Sequence, residues 1–503
     1  MISRREFIAG SSTLAALALA GCGGGGGNTG GMASANPADP VSPDALGSPG
    51  TPGIPLPLLP VLPAQGAVLT MAPGSYNLGE GVQAGAYLFN NSWPAPKLEV
   101  APGKTLDVVV NNALGESSNV HWHGLAAAPG MDGHPLEVIA GGESRRYQFI
   151  VNERPGTYWY HPHPHGATAA QAYQGLAGML VVADGQDAAR GLPTGERDLA
   201  LILADKRVAA GKLAVYAPTS LDVMTGWLGN AILVNGVVQP TAQVEAAVLR
   251  LRLLNASNAR ILNIALADGN PVWLIATDGG LLDAPVSITH ALLAPGERIE
   301  ILLDLRARAG QTVRLVSAAF ALMGTGMMGS AAPAQGTAFE LMRFVVSGSA
   351  PSLPGSIPPS FAPIIRHDVA TATAMRSFGL TGSMMGMMGV ASGAQHRING
   401  LVYEGTRTDF SVAVQTLHHW EFVNNSFQPH PMHVHGGQFQ VVARNGNAGA
   451  RWATDMGWKD TVLVPPGESL RIALNFAIQG RYVLHCHNLE HEDDGMMLNF
   501  NVI

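Results

Sequence analysis

The chain has 503 residues, of which 47% are hydrophobic and only 13% are charged, and this composition excludes a disordered or highly charged protein. The 29 basic and 36 acidic residues give a net charge of −7, and aromatic residues make up only 6%, so nucleic acid is not an expected partner. The 61 glycines and 34 prolines favour many turns and short strands over long helices. Two cysteines, Cys22 and Cys486, are too few for a disulfide scaffold or a cysteine-rich zinc site.

The N-terminal segment has the order of a bacterial export signal. A Ser-Arg-Arg-x-Phe pattern at residues 3–7 precedes an apolar run that ends near Ala20 and is too short to span a bilayer comfortably. It resembles a twin-arginine signal, the route for proteins that are exported already folded. Residues 19–22, Leu-Ala-Gly-Cys, resemble a lipobox. We therefore predict a signal over 1–22, a periplasmic location, and a lipid on Cys22 as the only membrane anchor.

A Gly- and Pro-rich stretch over residues 23–65 predicts a flexible stalk. Beyond it, one strand pattern recurs three times, with Leu-Asp-Val-Val-Val-Asn-Asn at 106–112, Leu-Arg-Leu-Arg-Leu-Leu-Asn at 249–255 and His-His-Trp-Glu-Phe-Val-Asn-Asn at 418–425. Alternating apolar and polar positions bounded by Gly, Pro and Asn indicate half-buried strands. The long repeat period predicts an all-β chain of three Greek-key β-sandwich domains, at 66–186, 196–350 and 362–503.

Histidines are grouped in four clusters, two in each outer domain. They are His121-Trp-His123, His161-Pro-His163, His430-Pro-Met-His433-Val-His435 and His485-Cys486-His487 with His491. Side chains two apart on a strand share a face, so each His-x-His pair can direct two imidazoles toward one site. Neutral imidazole suits copper, zinc, iron and nickel. The middle domain offers only His290, so eight imidazoles predict a polynuclear metal centre between the first and third domains.

Cys486 narrows the choice of metal. On a strand it faces away from its neighbours His485 and His487, into its own domain. His430, His491 and Met496 remain to meet it there. Two histidines, one cysteine and a weak axial methionine are the ligands of a blue-copper electron-transfer site. An electron on that copper could leave through the backbone of Cys486 to either neighbouring histidine.

The four motifs resemble the copper-binding signatures of the multicopper oxidases, which include laccases, ascorbate oxidase and the bacterial copper-efflux oxidases, over residues from about 70 to 503. The resemblance implies cupredoxin-like domains and four copper ions. It implies a type 1 copper on His430, Cys486 and His491 with Met496 axial, a type 2 copper on His121 and His433, and type 3 coppers on His123, His161 and His487 and on His163, His435 and His485. It further implies one-electron oxidation of a substrate at the type 1 copper and reduction of dioxygen to water at the other three.

Two acidic residues lie beside these motifs. Asp132 comes nine residues after His123, and Glu492 follows His491. Both match acidic positions that supply protons in bacterial members of the family, and carboxylic acids are usual proton donors and acceptors. The alternative for each is a solvated surface acid.

Nine methionines lie between residues 320 and 390, most densely in Thr-Gly-Ser-Met-Met-Gly-Met-Met-Gly at 381–389. Thioether sulfur favours Cu(I), so this stretch predicts a cuprous substrate, and loosely ordered filler is the alternative. The leading hypothesis is a monomeric, lipid-anchored oxidase of Cu(I), and to some extent of phenols, that uses O2 and serves copper tolerance. The alternatives are a phenol-oxidising laccase without a role in copper tolerance and a non-catalytic Cu(I) store or carrier.

Overall fold

The computed structural model describes residues 53–78, 83–209, 212–322, 333–349, 351–373, 375–382, 396–448 and 452–503. Within these ranges the chain is built mainly from short strands arranged in six sheets, and the prediction of an all-β protein is confirmed. Among the residues described, no helix combines the length and the apolar character needed to cross a membrane.

The first pair of sheets comes mainly from the first third of the chain. The elements up to residue 213 are β1 (Val61–Pro63), β2 (Gln65–Asn77), β3 (Gln83–Phe89), β4 (Lys97–Val100), β5 (Lys104–Asn112), β6 (His121–His123), β7 (Ser144–Val151), β8 (Gly156–His161), α1 (Thr168–Gln174), β9 (Gly178–Val182), the 3-10 turn Gly195–Arg197, β10 (Asp198–Lys206), β11 (Val208–Ala209) and β12 (Lys212–Leu213). The sheet orders are β1-β4-β9-β8-β6 and β11-β12-β3-β2-β5-β7. The two sheets share one core, to which β5 contributes alternate residues, Leu106, Val108 and Val110.

Strands β11 and β12 lie within the range predicted for the middle domain, yet they extend a sheet of the first. Lys212 pairs in parallel with Gln83 of β3. Val208 and Leu213 pack against the cluster that contains Leu78. The open edge of a sheet can accept any nearby extended segment, so the local sequence pattern did not reveal this pairing.

The last part of the predicted stalk is not a free linker. Val61 pairs in parallel with Lys97 of β4, the amide of Leu56 donates to the carbonyl of Thr241 at 3.0 Å, and Leu59 is buried. The stalk prediction was therefore wrong for residues 53–65, because their apolar side chains pack on the first two domains. Residues 23–52, like the predicted signal 1–22, lie outside the described residues.

The middle pair of sheets begins with β10. Its further elements are α2 (Ser220–Thr225), β13 (Ala231–Val234), β14 (Val237–Val238), β15 (Thr241–Val244), β16 (Val248–Asn255), β17 (Leu262–Leu266), β18 (Val272–Thr277), β19 (Gly280–Ile288), β20 (His290–Leu293), β21 (Arg298–Asp304), β22 (Thr312–Ser317) and β23 (Phe339–Val346). The sheet orders are β14-β13-β10-β16-β21-β18-β19 and β15-β23-β22-β17-β20. A capping box starts α2, because Thr219 and Asp222 each accept a hydrogen bond from the other's backbone amide.

The third pair of sheets carries two of the four histidine clusters. Its elements are the 3-10 turn Val369–Thr371, β24 (Arg376–Gly382), β25 (His396–Ile398), β26 (Phe410–Val412), β27 (His418–Asn424), β28 (His430–Val434), β29 (Phe439–Arg444), the 3-10 turn Ala453–Asp455, β30 (Thr461–Val464), β31 (Ser469–Leu474), β32 (Gly480–Cys486), α3 (Leu489–Asp493) and β33 (Met497–Val502). The sheet orders are β25-β24-β27-β31-β29 and β26-β33-β32-β28-β30. The core between them includes Cys486 and Met496.

Candidate metal centre

Neighbouring strands align the histidines within each outer domain. In the first domain β6 and β8 are antiparallel, and His121 lies directly opposite His161. In the third domain β28 and β32 are antiparallel, so His433 lies opposite His485 and Met432 lies opposite Cys486. Side chains directly opposite each other point to the same face of a sheet. Each domain therefore presents histidines from adjacent strands together.

Eight imidazoles from the two outer domains meet in one fully buried cluster. The nitrogen pairs are His121 Nε2 and His433 Nε2 at 3.4 Å, His163 Nε2 and His485 Nε2 at 3.2 Å, His435 Nε2 and His485 Nε2 at 3.2 Å, and His123 Nδ1 and His161 Nε2 at 3.3 Å. The eighth ring, that of His487, lies 5.1 Å from His123 and 5.2 Å from His161 between ring centroids. Neither ring nitrogen of His487 has a hydrogen-bond partner among the described residues.

Burial favours the neutral form of His121, His123, His161 and His163. Burial holds the pKa of His121, His123 and His163 well below the usual 6.5, and charge on neighbouring imidazoles lowers it further. Burial likewise lowers the pKa of His161 to about 3. Neutral imidazole nitrogens present lone pairs, and several lone pairs converging without protons between them are a set of metal ligands.

A second, smaller donor set lies on the other side of β32. Cys486 Sγ is 3.4 Å from His430 Nδ1 and 3.7 Å from His491 Nδ1, and the two nitrogens are 3.2 Å apart. All three residues are fully buried, as is Met496. Burial raises the pKa of the Cys486 thiol, so a metal ion bound there has to displace its proton.

Sequence comparisons agree with this geometry. Profiles of the multicopper oxidase family match residues 70–187 and 379–503. The multicopper oxidase mco of Staphylococcus haemolyticus is 32% identical over 414 residues, which cover 81% of this chain and 82% of that protein. The chain belongs to the multicopper oxidase family. This result confirms the predicted resemblance, and the protein is an oxidase enzyme that uses copper.

Solved structures of multicopper oxidases have the same fold. McoA from the hyperthermophile Aquifex aeolicus matches with a TM-score of 0.80 and 34% identity, over 90% of this chain and 99% of that chain. The laccase-like CueO from the lignin-degrading bacterium Ochrobactrum sp. matches with a TM-score of 0.79 and 33% identity, over 89% of this chain and 100% of that chain. The latter is described as having oxidase activity towards lignin model compounds and lignosulfonate.

The donors of this multicopper oxidase fit copper. The cluster consists only of imidazoles, and the second donor set adds a thiol and a buried thioether, which together form the mixed nitrogen and soft sulfur environment that copper prefers. The ring nitrogens of His487 are buried without a hydrogen-bond partner among the described residues, and a bound copper ion would give one of them a partner.

Outward-facing ring nitrogens are fixed by groups around the cluster. His121 Nδ1 donates to the carbonyl of Asp132 at 2.7 Å, and His433 Nδ1 donates to the carbonyl of Asp460 at 2.8 Å. The carboxylate of Glu492 lies between two domains, 3.2 Å from His163 Nδ1 and 3.1 Å from Nδ1 of His485. The two hydrogen bonds to backbone carbonyls fix the tautomer and the orientation of His121 and His433.

The two predicted proton-handling acids are both buried at the cluster. Asp132 Oδ2 accepts a hydrogen bond from His435 Nδ1 at 2.7 Å, and burial raises the pKa of Asp132 well above its usual value. Glu492 is fully buried beside His163 and His485. The alternative of solvated surface acids is therefore wrong for both residues.

The middle domain contributes an arginine to the site, although its described residues supply none of the eight cluster histidines. Arg298, fully buried, donates to both carboxylate oxygens of Asp460, at 2.7 and 2.6 Å. Asp460 Oδ1 in turn accepts from His123 Nε2 at 3.0 Å. Arg298 was not predicted as a site residue, because nothing in its local pattern distinguishes it from an ordinary strand arginine.

A further histidine was also missed. His396 is buried beside the second donor set, and its ring stacks on that of His491 with centroids 3.7 Å apart. It is a single histidine outside any His-x-His pattern, so only its burial next to His491 reveals it.

The densest methionines, Met384, Met385, Met387 and Met388, lie outside the described residues, whereas Met342 is buried in the core of the middle domain.

Proposed function

We propose that this multicopper oxidase takes single electrons from Cu(I), with phenols as a second substrate class, and uses them to reduce dioxygen to water. The balanced reaction consumes four Cu(I), one O2 and four protons and yields four Cu(II) and two H2O. Within the family assignment, the proposed ligands of the mononuclear copper are His430, Cys486 and His491 with Met496 axial. The proposed trinuclear ligands are His121, His123, His161, His163, His433, His435, His485 and His487.

One structural observation carries the proposal, namely that three consecutive residues join the two donor sets. Cys486 faces His430 and His491, whereas His485 and His487, its neighbours in the chain, contact cluster histidines from the first domain. When bound, the four coppers supply a one-electron acceptor at the thiolate and a place where dioxygen receives four electrons. The backbone on either side of Cys486 is the short covalent path between the two sets.

Two buried acids of the protein supply protons for the reduction of dioxygen. The carboxyl groups of Asp132 and Glu492 each lie against outward-facing nitrogens of cluster histidines. A carboxyl group at that distance can hold a proton next to the place where water forms. Both acids reach across the boundary between the first and third domains, so they also hold the two halves of the cluster together.

Support for Cu(I) as substrate comes from where the methionine-rich segment joins the fold. Gly382 and His396 are opposite partners in the β24–β25 pair, and the residues between them include Met384, Met385, Met387 and Met388. His396 stacks on the proposed copper ligand His491. His396, the first described residue after these methionines, therefore lies at the proposed mononuclear site, and thioether sulfur favours Cu(I).

Substitution of these four methionines by leucine tests the substrate class, because it conserves volume and removes only the sulfurs. We expect kcat/KM for Cu(I), measured by oxygen uptake, to fall at least about tenfold while phenol oxidation is unchanged. The control carries Met375→Leu and Met456→Leu, at two exposed positions. If Cu(I) turnover survives in the four-residue variant, phenol oxidation becomes the leading function.

We further propose that the enzyme is exported by its twin-arginine signal and stays on the membrane as a monomer, held by a lipid on Cys22 and acting in copper tolerance. Metabolic labelling with a radioactive fatty acid tests the anchor, and Cys22→Ser is expected to release the enzyme into the soluble periplasmic fraction. Growth of cells on copper with the wild-type and Cys486→Ser enzymes tests the role in tolerance. Light scattering of the purified enzyme tests the monomeric state.

A further inference from the structure

Two parallel imidazoles lie at the mononuclear site, and only one of them belongs to the proposed ligand set. The rings of His396 and His491 are 3.7 Å apart and inclined by 22°. One ring nitrogen from each of His396, His430 and His491 lies within 4.8 Å of the other two. His396 is almost fully buried, so its ring is packed against the site and not against solvent.

Both rings are bound to the same helix of the middle domain. His396 Nε2 donates to the carbonyl of Val223 at 3.2 Å, and His491 Nε2 donates to the carbonyl of Met224 at 3.1 Å. These two carbonyls are consecutive along α2. Because the carbonyls of one turn keep a constant separation and direction, the two imidazoles are held at matching positions side by side.

The helix α3, which carries His491, is fixed by further hydrogen bonds. Asn488 caps α3 by accepting hydrogen bonds from the backbone amides of Glu490 and His491. Glu490 accepts from the amide of Trp227 at 2.9 Å and from Asn258 Nδ2 at 2.8 Å, both in the middle domain. His491 therefore lies on a short helix that is hydrogen-bonded to the middle domain through Glu490.

We propose that His396 is a positioning residue of the mononuclear copper site, whose ring, stacked on His491 and hydrogen-bonded to α2, sets the tilt at which His491 meets the metal. This inference rests on the proposed assignment of His491 as a copper ligand. The tilt of an imidazole controls the overlap of its nitrogen lone pair with the metal, so His396 affects copper affinity and the thiolate-to-copper absorption without touching substrate.

The test compares three substitutions. His396→Phe keeps the ring stack and loses the hydrogen bond to Val223, His396→Gln keeps a donor and loses the stack, and His396→Ala loses both. The readouts on the copper-loaded enzyme are the thiolate-to-copper absorption band, the hyperfine splitting in electron paramagnetic resonance, and the affinity for the mononuclear copper. His419→Phe, at a half-exposed histidine of the same domain, is the control.

We expect His396→Ala to weaken mononuclear copper binding at least about tenfold and to shift the band and the splitting, with Phe and Gln each restoring part of the effect. Wild-type spectra and affinity in all three variants would overturn the proposal, as would failure of all three metal-free variants to show native circular dichroism, since His396 would then act in folding. A His491→Ala variant tests separately whether His491 is a copper ligand, the assignment on which the role of His396 rests. If it retains the mononuclear spectrum, the ligand assignment itself has failed.

Discussion

Asp132 in the first domain accepts a hydrogen bond from Nδ1 of His435 in the third domain, with 2.7 Å between the two atoms. The same residue holds His121 through its backbone carbonyl, at 2.7 Å from the ring nitrogen. One residue therefore orients two cluster histidines that belong to different domains. Its carboxyl group combines this orienting role with the proton-holding role that the sequence pattern predicts.

Replacing Asp132 by asparagine keeps the shape of the side chain and removes an ionisable group. We expect Asp132→Asn to slow reoxidation of the reduced enzyme by dioxygen by about 100-fold, because proton supply at the cluster is lost. Reduction of the mononuclear copper by substrate under anaerobic conditions should be unchanged. Stopped-flow absorbance follows both half-reactions. Glu137→Gln, a partly exposed acid five residues further along, is the control, and an unaffected reoxidation rate in Asp132→Asn would rule out the proton role.

Cys486→Ser tests the division into two donor sets. A serine hydroxyl is a hard ligand that stays protonated, so it cannot replace the thiolate. We expect the variant to bind one copper ion fewer per chain, to lose the visible absorption band and to lose more than about 100-fold in oxygen uptake, with the trinuclear signals retained. Metal analysis measures the number of copper ions per chain, and electron paramagnetic resonance shows which copper signals remain. Cys22→Ser, the other cysteine of the chain, should leave all of these properties intact, and an unchanged copper count in Cys486→Ser would contradict the assignment.

Arg298 links the middle domain to the cluster through Asp460. Lysine at this position keeps the charge but cannot reach both carboxylate oxygens. We expect Arg298→Lys to lower the free energy of unfolding of the metal-free protein by about 3 kcal/mol and to weaken copper binding at the trinuclear site at least about tenfold. Denaturant unfolding and copper titration measure the two effects. Arg306→Lys, at a largely exposed pair with Asp304, should change neither, and equal results for the two variants would show that the Asp460 contact is dispensable.

Glu300 makes stability depend on acid pH. Burial alone would raise the pKa of Glu300, but Arg250 and Arg252 outweigh it and lower the pKa from 4.5 to about 2. A carboxyl group whose pKa is depressed in the folded state stabilises the fold above its unfolded pKa, and this contribution is lost as the pH falls from 4.5 to about 2.

We therefore expect Glu300→Gln to lower the free energy of unfolding at pH 7 by about 3 kcal/mol, with the difference from wild type shrinking as the pH approaches 2. Denaturant unfolding at a series of pH values measures this difference. Glu99→Gln, at a partly exposed pair with Lys97, is the control and should cost less than about 1 kcal/mol. A difference between Glu300→Gln and wild type that does not change with pH would show that Arg250 and Arg252 do not lower the pKa of Glu300.

Local residue patterns were sufficient for most of the site. His121 and His123 could be predicted as one pair because both lie on β6, where residues two apart share a face. The same pattern predicted the His433–His435 pair, although β28 ends at Val434 and His435 follows in the turn. The opposite orientation of Cys486 follows from the same rule, and the structure places its sulfur beside His430 and His491. The resemblance to a known family then implied which histidine belongs with which ion.

Other parts of the site depend on contacts between distant segments. Arg298, His396 and the carbonyls of α2 come from segments that carry no metal-binding motif. The packing of the middle domain against the third brings Arg298 and the α2 carbonyls to the site, whereas pairing of β25 with β24 within the third domain places His396 there. The addition of β12 to a first-domain sheet and the burial of Leu59 also depend on contacts between segments far apart in the chain.

By itself, therefore, the sequence determined the strands, the donor types and the face on which each donor lies, because these follow from residue chemistry and the two-residue repeat of a strand. Only the tertiary structure decided which groups orient those donors, because each orienting contact joins residues far apart in the chain, and such contacts leave no local periodic trace.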